Sequence, residues 1–267
     1  DQVRQRLVSF WTNHFTMGGF ESRELSSHAM EEGILGSFND SFASMLYKAT
    51  THPAMLMYLD NHISAGPNSQ HVRWARSRNE QAGLNDNLGR ELLELHTVSP
   101  DVNYTETDIR NAAKVLAGWG MDVQGNSPQN LLEQAGTINH WDMYKKNWAE
   151  PGSKVVLGKT IYQGKQGLKQ LTDFLATHDH TINHLSFKLA EHFVRDDPQQ
   201  ADIDYISNAW RQGNGSMEKI HTAVIERAID SKEPKFQWPM TWLFQVIRLT
   251  DSRYFKGWSE VDTYLNR

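Results

Sequence analysis

The chain has 267 residues, no cysteine and a formal net charge of −5, with 39% hydrophobic and 22% charged residues. This is the composition of a globular protein with a sizeable core, and it excludes disulfides and thiolate metal sites. Because no block of basic residues occurs, nucleic acid is not an expected partner. No apolar run approaches the roughly 20 residues that span a bilayer, so no transmembrane segment is predicted. We interpret residues 1–267 as a single domain.

Helical periodicity dominates the first part of the chain. Apolar residues recur at helical spacing around 7–14 and 38–49. Pro53 suits the first position of a third helix. Thr105, followed by acidic residues, predicts the start of another helix, which should stop near Gly118. The early chain is therefore expected to be a series of amphipathic helices joined by loops.

The pattern weakens from about 121 to 165, where only 154–157 resembles a short strand. An irregular connection of this length is more often functional than idle, for example as a lid or one wall of a cleft. Helical patterning then resumes, with further helices expected around 168–175, 185–193, 203–210, 220–229 and 241–249. The predicted fold is all-α, an irregular multi-helix bundle with one long irregular insert.

Glu91 is the most informative single residue. At about 100° per residue it falls within the apolar stripe of a predicted helix. An isolated ionised carboxylate in a dry core is too costly to persist, so Glu91 must be paired, protonated, metal-bound or facing a polar cavity. The apolar residues of that stripe are Leu84, Leu88, Leu95 and Val98.

Two interpretations of this segment stay open. In the first, Arg90 and Glu94 form a surface pair while a buried Lys or Arg neutralises Glu91. In the second, Glu91 acts with Glu94 and His96 as an acid, a base or a metal ligand. The chain lacks a His-Glu-x-x-His helix, a Gly-x-Ser-x-Gly elbow, a phosphate-binding loop and a dinucleotide fingerprint. The commonest hydrolase, kinase and dehydrogenase classes are therefore disfavoured.

Two more polar residues fall on apolar helix faces. His14 shares a face with Leu7, Phe10 and Trp11, as a hydrogen-bonded core histidine or as a site residue. Lys188 shares a face with Leu185 and Leu189, so a buried cation is expected there. A Glu91–Lys188 ion pair would satisfy both helices.

Seven segments occur in an order that resembles the bacterial DUF1800 family (domain of unknown function 1800). They are FWTNHF at 10–15, HPAMLMYLD at 52–60, RELLELHT at 90–97, YTETD at 104–108, LAGW at 116–119, VLG at 156–158 and KLAEHFV at 188–194. The resemblance implies an exported bacterial protein, periplasmic or extracellular, frequently encoded beside a secreted sulfatase-like partner. Members usually carry a further N-terminal helical region and an export signal, so the chain is expected to be part of a longer precursor.

The chain departs from the family pattern at one position. Many relatives have a His-Asp/Glu-Pro-Gly run, whereas the corresponding residues here are Ala149, Glu150, Pro151 and Gly152. An imidazole is therefore missing, either naturally or through an introduced change. His140 or His178 would be the available substitutes.

The first functional hypothesis is a hydrolase acting on a polymer or glycan. Its predicted catalytic residues are Glu91, Glu94, His14 and His96. The residues predicted to contact substrate are Trp119 and Trp148, as a platform of rings, with Arg90 and Lys188. The cofactor is left open, with a divalent metal held by His14, Glu91, His96 and His140 as one alternative.

The second hypothesis is a non-catalytic scaffold or binding component of an exported assembly. Glu91, Lys188 and Arg110 would then form a buried ionic network that fixes the order of the helices. The aromatic residues Trp141, Tyr144 and Trp148 would contact a partner protein.

Overall fold

A computed structural model of the chain describes residues 2–17, 34–120, 144–236 and 239–250. The chain divides into two compact units, Asp1–Ser231 and Lys232–Arg267. The described secondary structure is almost entirely helical, which confirms the predicted all-α class. The α-helices are α1 (Gln2–His14), α2 (Phe42–Thr51), α3 (Pro53–Tyr58), α4 (Gln70–Ser77), α5 (Asn87–Glu94), α6 (Glu106–Leu116), α7 (Lys165–Ala176), α8 (Asp179–Phe193), α9 (Gln200–Gln212), α10 (Met217–Asp230) and α11 (Pro239–Leu249). None of these helices combines the length and apolar character that crossing a bilayer requires.

Local sequence signals explain where several helices begin. Pro53 occupies the first turn of α3, as predicted, because its missing N–H would have no helical partner there. Thr105 caps α6: its hydroxyl accepts from the Asp108 N–H while the Asp108 carboxylate accepts from the Thr105 N–H. The predicted cap of this helix is confirmed, and the helix ends at Leu116, just before Gly118.

The irregular insert is described only from Tyr144 onward. The predicted strand is confirmed as β1 (Lys154–Val156), and it pairs antiparallel with β2 (Lys159–Ile161), which the sequence pattern did not indicate. Leu157 and Gly158 both have positive φ, as the tight turn of a two-residue hairpin requires. This hairpin packs against α6.

The core of the first unit is built from helix pairs that pack against each other. Helix α5 packs on α6, α2 on α7, α8 on α9, and α9 on α10. Gly89 allows α5 to approach α6 closely, since a Cβ built there would lie 2.7 Å from the Ala113 backbone N. The large side chains with no exposed surface include Trp11, Trp119, Trp210 and Phe42.

The Glu91 helix is shorter than predicted. It ends at Glu94, so the stripe does not continue to Val98 as one helical face, and the Leu95 side chain is 51% exposed. The buried face of α5 consists of Leu88, Gly89, Leu92 and Leu93. Glu91 is half-buried beside this face. Its predicted position in the middle of the apolar stripe was wrong, because Leu95 and Val98 lie beyond the end of the helix.

A buried ionic network exists, but not where it was predicted. Asp202, in the first turn of α9, has no exposed side-chain surface. Its carboxylate lies 2.6 Å from Arg227 Nε and 2.9 Å from Arg195 Nε, although the Arg195 N–H does not aim at it. Arg110 is exposed, and no Glu91–Lys188 ion pair forms, so the predicted network of Glu91, Lys188 and Arg110 was wrong.

In the second unit, α11 carries large exposed apolar side chains, among them Trp242, Phe244 and Leu249. Apolar residues occupy most of the circumference of this helix. Residues 251–267 lie outside the described ranges.

Candidate functional site

His14 is the last residue of α1, and both of its ring nitrogens have polar partners. Its Nε2 lies 3.1 Å from the backbone oxygen of His96, and its Nδ1 lies 3.1 Å from Lys188 Nζ. A carbonyl can only accept, so Nε2 carries the proton and Nδ1 presents a lone pair to the lysine. Burial, followed by the Lys188 charge, holds the pKa of His14 well below its ordinary 6.5. The imidazole is therefore neutral and tautomerically fixed.

Lys188 projects from α8 toward this imidazole. Leu185 and Leu189 on the same helix are fully buried, whereas Lys188 lies half-buried at the edge of the core, less deeply than the predicted buried cation. Burial lowers the pKa of its ammonium, and the nearby Glu191 carboxylate partly opposes that shift. Among the described residues, no carboxylate lies within ion-pair distance of Lys188. A cation whose close partner is a neutral imidazole releases its proton more readily than one paired with an acid.

His96 lies just past the end of α5 and is held there by backbone contacts. Its N–H donates to the Glu91 carbonyl at 2.9 Å, and the neighbouring Thr97 hydroxyl donates to the Leu92 carbonyl at 2.6 Å. Burial and then the Lys188 charge lower the pKa of the His96 imidazole to about 4. Its buried Nδ1 has no hydrogen-bond partner within the described residues. Leaving a buried polar atom unpaired costs about 1–3 kcal/mol, so this nitrogen is a candidate contact for a ligand.

His184 joins the same cluster, although the sequence pattern did not single it out. It lies one helical turn before Lys188 on α8, and its pKa is lowered by burial and by Lys188, while Asp101 opposes the shift. Asp101 lies two residues after Ser99, whose hydroxyl donates to the Asp101 carboxylate at 3.2 Å. Ser99 itself has an unusual φ of 79°. The i, i+4 spacing of His184 and Lys188 was the available signal. We call His14, His96, His184 and Lys188 the Lys188 cluster.

Glu91 is not part of a direct contact with Lys188. Its carboxylate has no hydrogen-bond or ion-pair partner in the described part of the chain. Its pKa is raised, first by burial and then by the Glu94 charge, while Arg90 acts in the opposite direction. Glu91 is thus a half-buried carboxylate that binds a proton more readily than an exposed one.

Glu94 and Arg90 are held in surface contacts. Arg90 Nη1 lies 3.2 Å from Glu94 Oε1, and its Nη2 lies 2.8 Å from Glu106 Oε1. The Tyr104 hydroxyl donates to the same Glu94 oxygen at 2.6 Å. The Arg90–Glu94 surface pair therefore forms as the first interpretation of this segment expected. Arg90 and Glu94 are therefore ion-paired with each other at the surface.

The predicted metal site is not assembled by the described residues. Within the ranges that the structure covers, no group of three or more His, Cys, Asp or Glu side chains is placed to hold a metal ion. His140, the fourth predicted ligand, lies outside those ranges. His178, considered as a substitute, accepts from the His180 N–H at the start of α8 and serves as its cap. A metal at His14, Glu91, His96 and His140 stays a prediction.

Trp119 lies in the core and not on a cleft. Its ring has no exposed surface and packs 5.9 Å from Tyr47 and 5.4 Å from Tyr144, measured between ring centroids. A ring without an exposed face has nothing on which a substrate could stack. The structure therefore argues against the predicted role of Trp119 as a platform.

Trp148 is half-buried, and its ring belongs to a stack of rings and cations. His71 lies parallel to it at 3.8 Å, and Lys145 Nζ lies 4.7 Å from its centroid. The stack continues from His71 to Trp74 at 5.9 Å and from Trp74 to the Arg78 guanidinium at 4.5 Å. Trp148 therefore fastens the 144–151 segment to α4. Trp141, the third aromatic predicted nearby along with Tyr144, lies outside the described residues.

Ala149, where the resemblance leads one to expect a histidine, lines a groove of about 610 Å³ beside this stack. The neighbouring Glu150 is buried, and its carboxylate accepts from the Asn68 backbone N–H at 2.8 Å and from its side-chain amide at 2.6 Å. Lys154 Nζ in turn donates to the backbone oxygens of Glu150 and Gly152. The segment that departs from the family pattern is thus rigidly held at the rim of a groove.

Comparisons with known proteins identify the family of the chain. No curated protein and no solved structure matches the chain at a significant level. A family model described as "Protein of unknown function (DUF1800)" matches residues 1–266. Since that match covers essentially the whole chain, the protein belongs to the DUF1800 family.

Proposed function

We propose that the Lys188 cluster is the catalytic centre of a hydrolase acting on a polymer or glycan, in which Lys188 moves the proton and His14 positions the lysine. The observation that carries the proposal is the 3.1 Å contact between Lys188 Nζ and His14 Nδ1, with the other His14 nitrogen held by the His96 carbonyl. A purely structural lysine at the edge of a core is usually paired with a carboxylate or with several carbonyls. Lys154 has such carbonyl partners, whereas Lys188 has the imidazole.

Burial lowers the pKa of Lys188, so a larger fraction of this lysine is unprotonated than of an exposed lysine, and the proposed chemistry uses that fraction. The neutral amine accepts a proton from a water molecule, whose oxygen then attacks the scissile carbon of the substrate. The resulting ammonium gives that proton to the departing oxygen, so the group returns to its starting state. His14 is a positioning residue, because its fixed lone pair orients the amine toward its free side. Glu91, unpaired and with a raised pKa, is the candidate for a second acid in the same reaction.

A test of the proton-transfer group requires no knowledge of the substrate. Acylation of lysine amines can be followed by peptide mass spectrometry at neutral pH, where only the neutral amine reacts. We expect Lys188 to react faster per exposed area than Lys169, an exposed lysine paired with Asp173 at 2.7 Å. His14→Phe should change the Lys188 rate while leaving the Lys169 rate unchanged.

Activity can be measured on a panel of nitrophenyl esters, nitrophenyl glycosides and polysaccharides. Lys188→Met should lower any hydrolysis at least 100-fold, in the range typical of general acid–base groups, and Lys169→Met should leave it unchanged. Circular dichroism spectra would confirm that both variants fold. If hydrolysis by the folded Lys188→Met variant equalled that of the wild type, the catalytic role of Lys188 would be wrong.

Export to the periplasm or cell exterior, and a secreted sulfatase-like partner, stay predictions of the family resemblance. Fractionation of the native host with an antibody against the domain would test the first. Affinity purification from the secreted fraction would test the second.

A further inference from the structure

A polar groove lies on the first unit at the meeting point of α4, the 144–151 segment and the turn after β2. Its volume is about 610 Å³, within the range of about 300–1,000 Å³ that is common for small-ligand sites. None of its lining residues belongs to the Lys188 cluster. The polar side chains that line it include Gln70, Arg73, Tyr144, Lys146, Asn147 and Gln163.

The walls of the groove are fixed to each other by backbone contacts. The Gly66 N–H donates to the Trp148 carbonyl at 2.8 Å, and the His71 N–H donates to the Asn147 carbonyl at 2.9 Å. Across the hairpin, the Gly152 N–H donates to Gln163 Oε1 at 2.7 Å. Walls held in this way need little ordering when a ligand binds, which favours affinity.

The groove lining contains two cations, Arg73 and Lys146, and one carboxylate, Glu150, so its formal charge is positive. Arg73 and Lys146 have no ion-pair partner among the described residues, and both are exposed. Glu150 is the acidic residue of the lining, but its carboxylate is occupied by the two Asn68 donors at 2.8 and 2.6 Å. Two cations therefore remain available to an anionic ligand.

The remaining lining groups suit hydroxyl-bearing ligands. Gln70, Asn147 and Gln163 supply side-chain amides, each with donor and acceptor atoms. Burial raises the pKa of Tyr144, so its phenol stays protonated and can donate. The nearby Trp148 ring does not line the groove; it stacks on His71 at 3.8 Å and lies 4.7 Å from Lys145 Nζ.

We propose that this groove binds an acidic oligosaccharide, with Arg73 and Lys146 pairing with its carboxylate or sulfate groups and the amides binding its hydroxyls. The proposal goes beyond the hydrolase function and does not depend on it, because the two sites share no residue. If Lys188 proved not to be catalytic, the groove could still bind the oligosaccharide. If the groove did not bind it, Lys188 could still be catalytic.

Calorimetric titration with a galacturonic acid tetrasaccharide tests the proposal, with a neutral galactose tetrasaccharide and a tetraglutamate peptide as comparison ligands. The acidic saccharide should bind, and the two comparison ligands should bind at least about tenfold more weakly. Arg73→Met combined with Lys146→Met should weaken binding at least about tenfold, because two charge-assisted contacts are lost. Arg76→Met is the matched control, since it removes an exposed charge from the same helix outside the groove lining.

Four outcomes would overturn the proposal. Equal binding of the neutral tetrasaccharide would exclude a role for the cations, and equal binding of tetraglutamate would make the site one for acidic peptides. An effect of Arg76→Met as large as that of the double variant would reduce the interaction to unspecific surface charge. Absence of binding at millimolar tetrasaccharide, with the wild-type fold verified by circular dichroism, would exclude the site altogether.

Discussion

Replacing His221 with glutamine should make the protein more resistant to acid. His221 lies on α10, is 5% exposed, and accepts a hydrogen bond at Nε2 from the Trp11 indole at 2.9 Å. Burial lowers the pKa of this imidazole from 6.5 to about 4. The unfolded chain therefore binds a proton near pH 6.5 that the folded chain does not bind until about pH 4. Consequently the free energy of unfolding decreases as the pH falls through this window.

The size of the effect follows from the two pKa values. Each pH unit between them changes the free energy of unfolding by about 1.4 kcal/mol. His221 should thus remove about 2 kcal/mol between pH 7 and pH 5, and about 3 kcal/mol by pH 4. A glutamine carbonyl can accept from the Trp11 indole without titrating, so His221→Gln should lose stability less steeply than the wild type. The other buried histidines are common to both proteins and cancel in the difference.

Urea unfolding at pH 7 and pH 5, followed by tryptophan fluorescence, measures this difference. His221→Phe is the second variant, and it should share the reduced pH dependence of His221→Gln. It should be less stable than His221→Gln at every pH, by about 1–3 kcal/mol, because the Trp11 N–H loses its acceptor. The reasoning would be refuted if His221→Gln and the wild type lost the same free energy between the two pH values.

Three further substitutions have expected effects on the free energy of unfolding. Asp202→Ala should cost about 3–5 kcal/mol, because two arginines lose a buried counter-ion. Asp173→Ala, on the surface, should cost less than about 1 kcal/mol. Equal losses of stability in the two variants would contradict the buried network. Gly89→Ala should cost about 1–3 kcal/mol, because its Cβ would lie 2.7 Å from the backbone of α6, whereas Gly83→Ala meets nothing within 4 Å. Thr105→Ala should cost about 1 kcal/mol through the lost cap of α6. Urea unfolding at pH 7 checks all three.

Most of the helices could be predicted from the sequence because they carry a local signal. Pro53 and Thr105 mark helix starts through the hydrogen-bonding needs of the first turn, which depend on few neighbours. Helix α4 was not predicted, because its buried residues are only Val72 and Ala75. Strand β2 has a single buried residue, Ile161, so no alternation marked it.

The candidate site was predictable residue by residue but not as an arrangement. His14, His96 and Lys188 were each recognised as polar residues on or beside apolar faces, and the structure brings them together. Periodicity reports which face of a helix a residue occupies but not which helix faces it, so Lys188 was paired with Glu91 when its partner is His14. The extent of α5 was also misjudged, because a periodic stripe does not show where the backbone hydrogen bonds stop.

Helix α1 has a consequence for how the protein is made. Its Trp11 bonds a residue that lies 210 positions later in the chain, and its His14 bonds one that lies 174 positions later. At about 5–20 residues per second, a ribosome needs roughly 10–40 s to synthesise the chain between Trp11 and His221. During that interval the apolar face of α1 has no native partner on α8 or α10, so a holding chaperone that covered this face would protect the chain from aggregation.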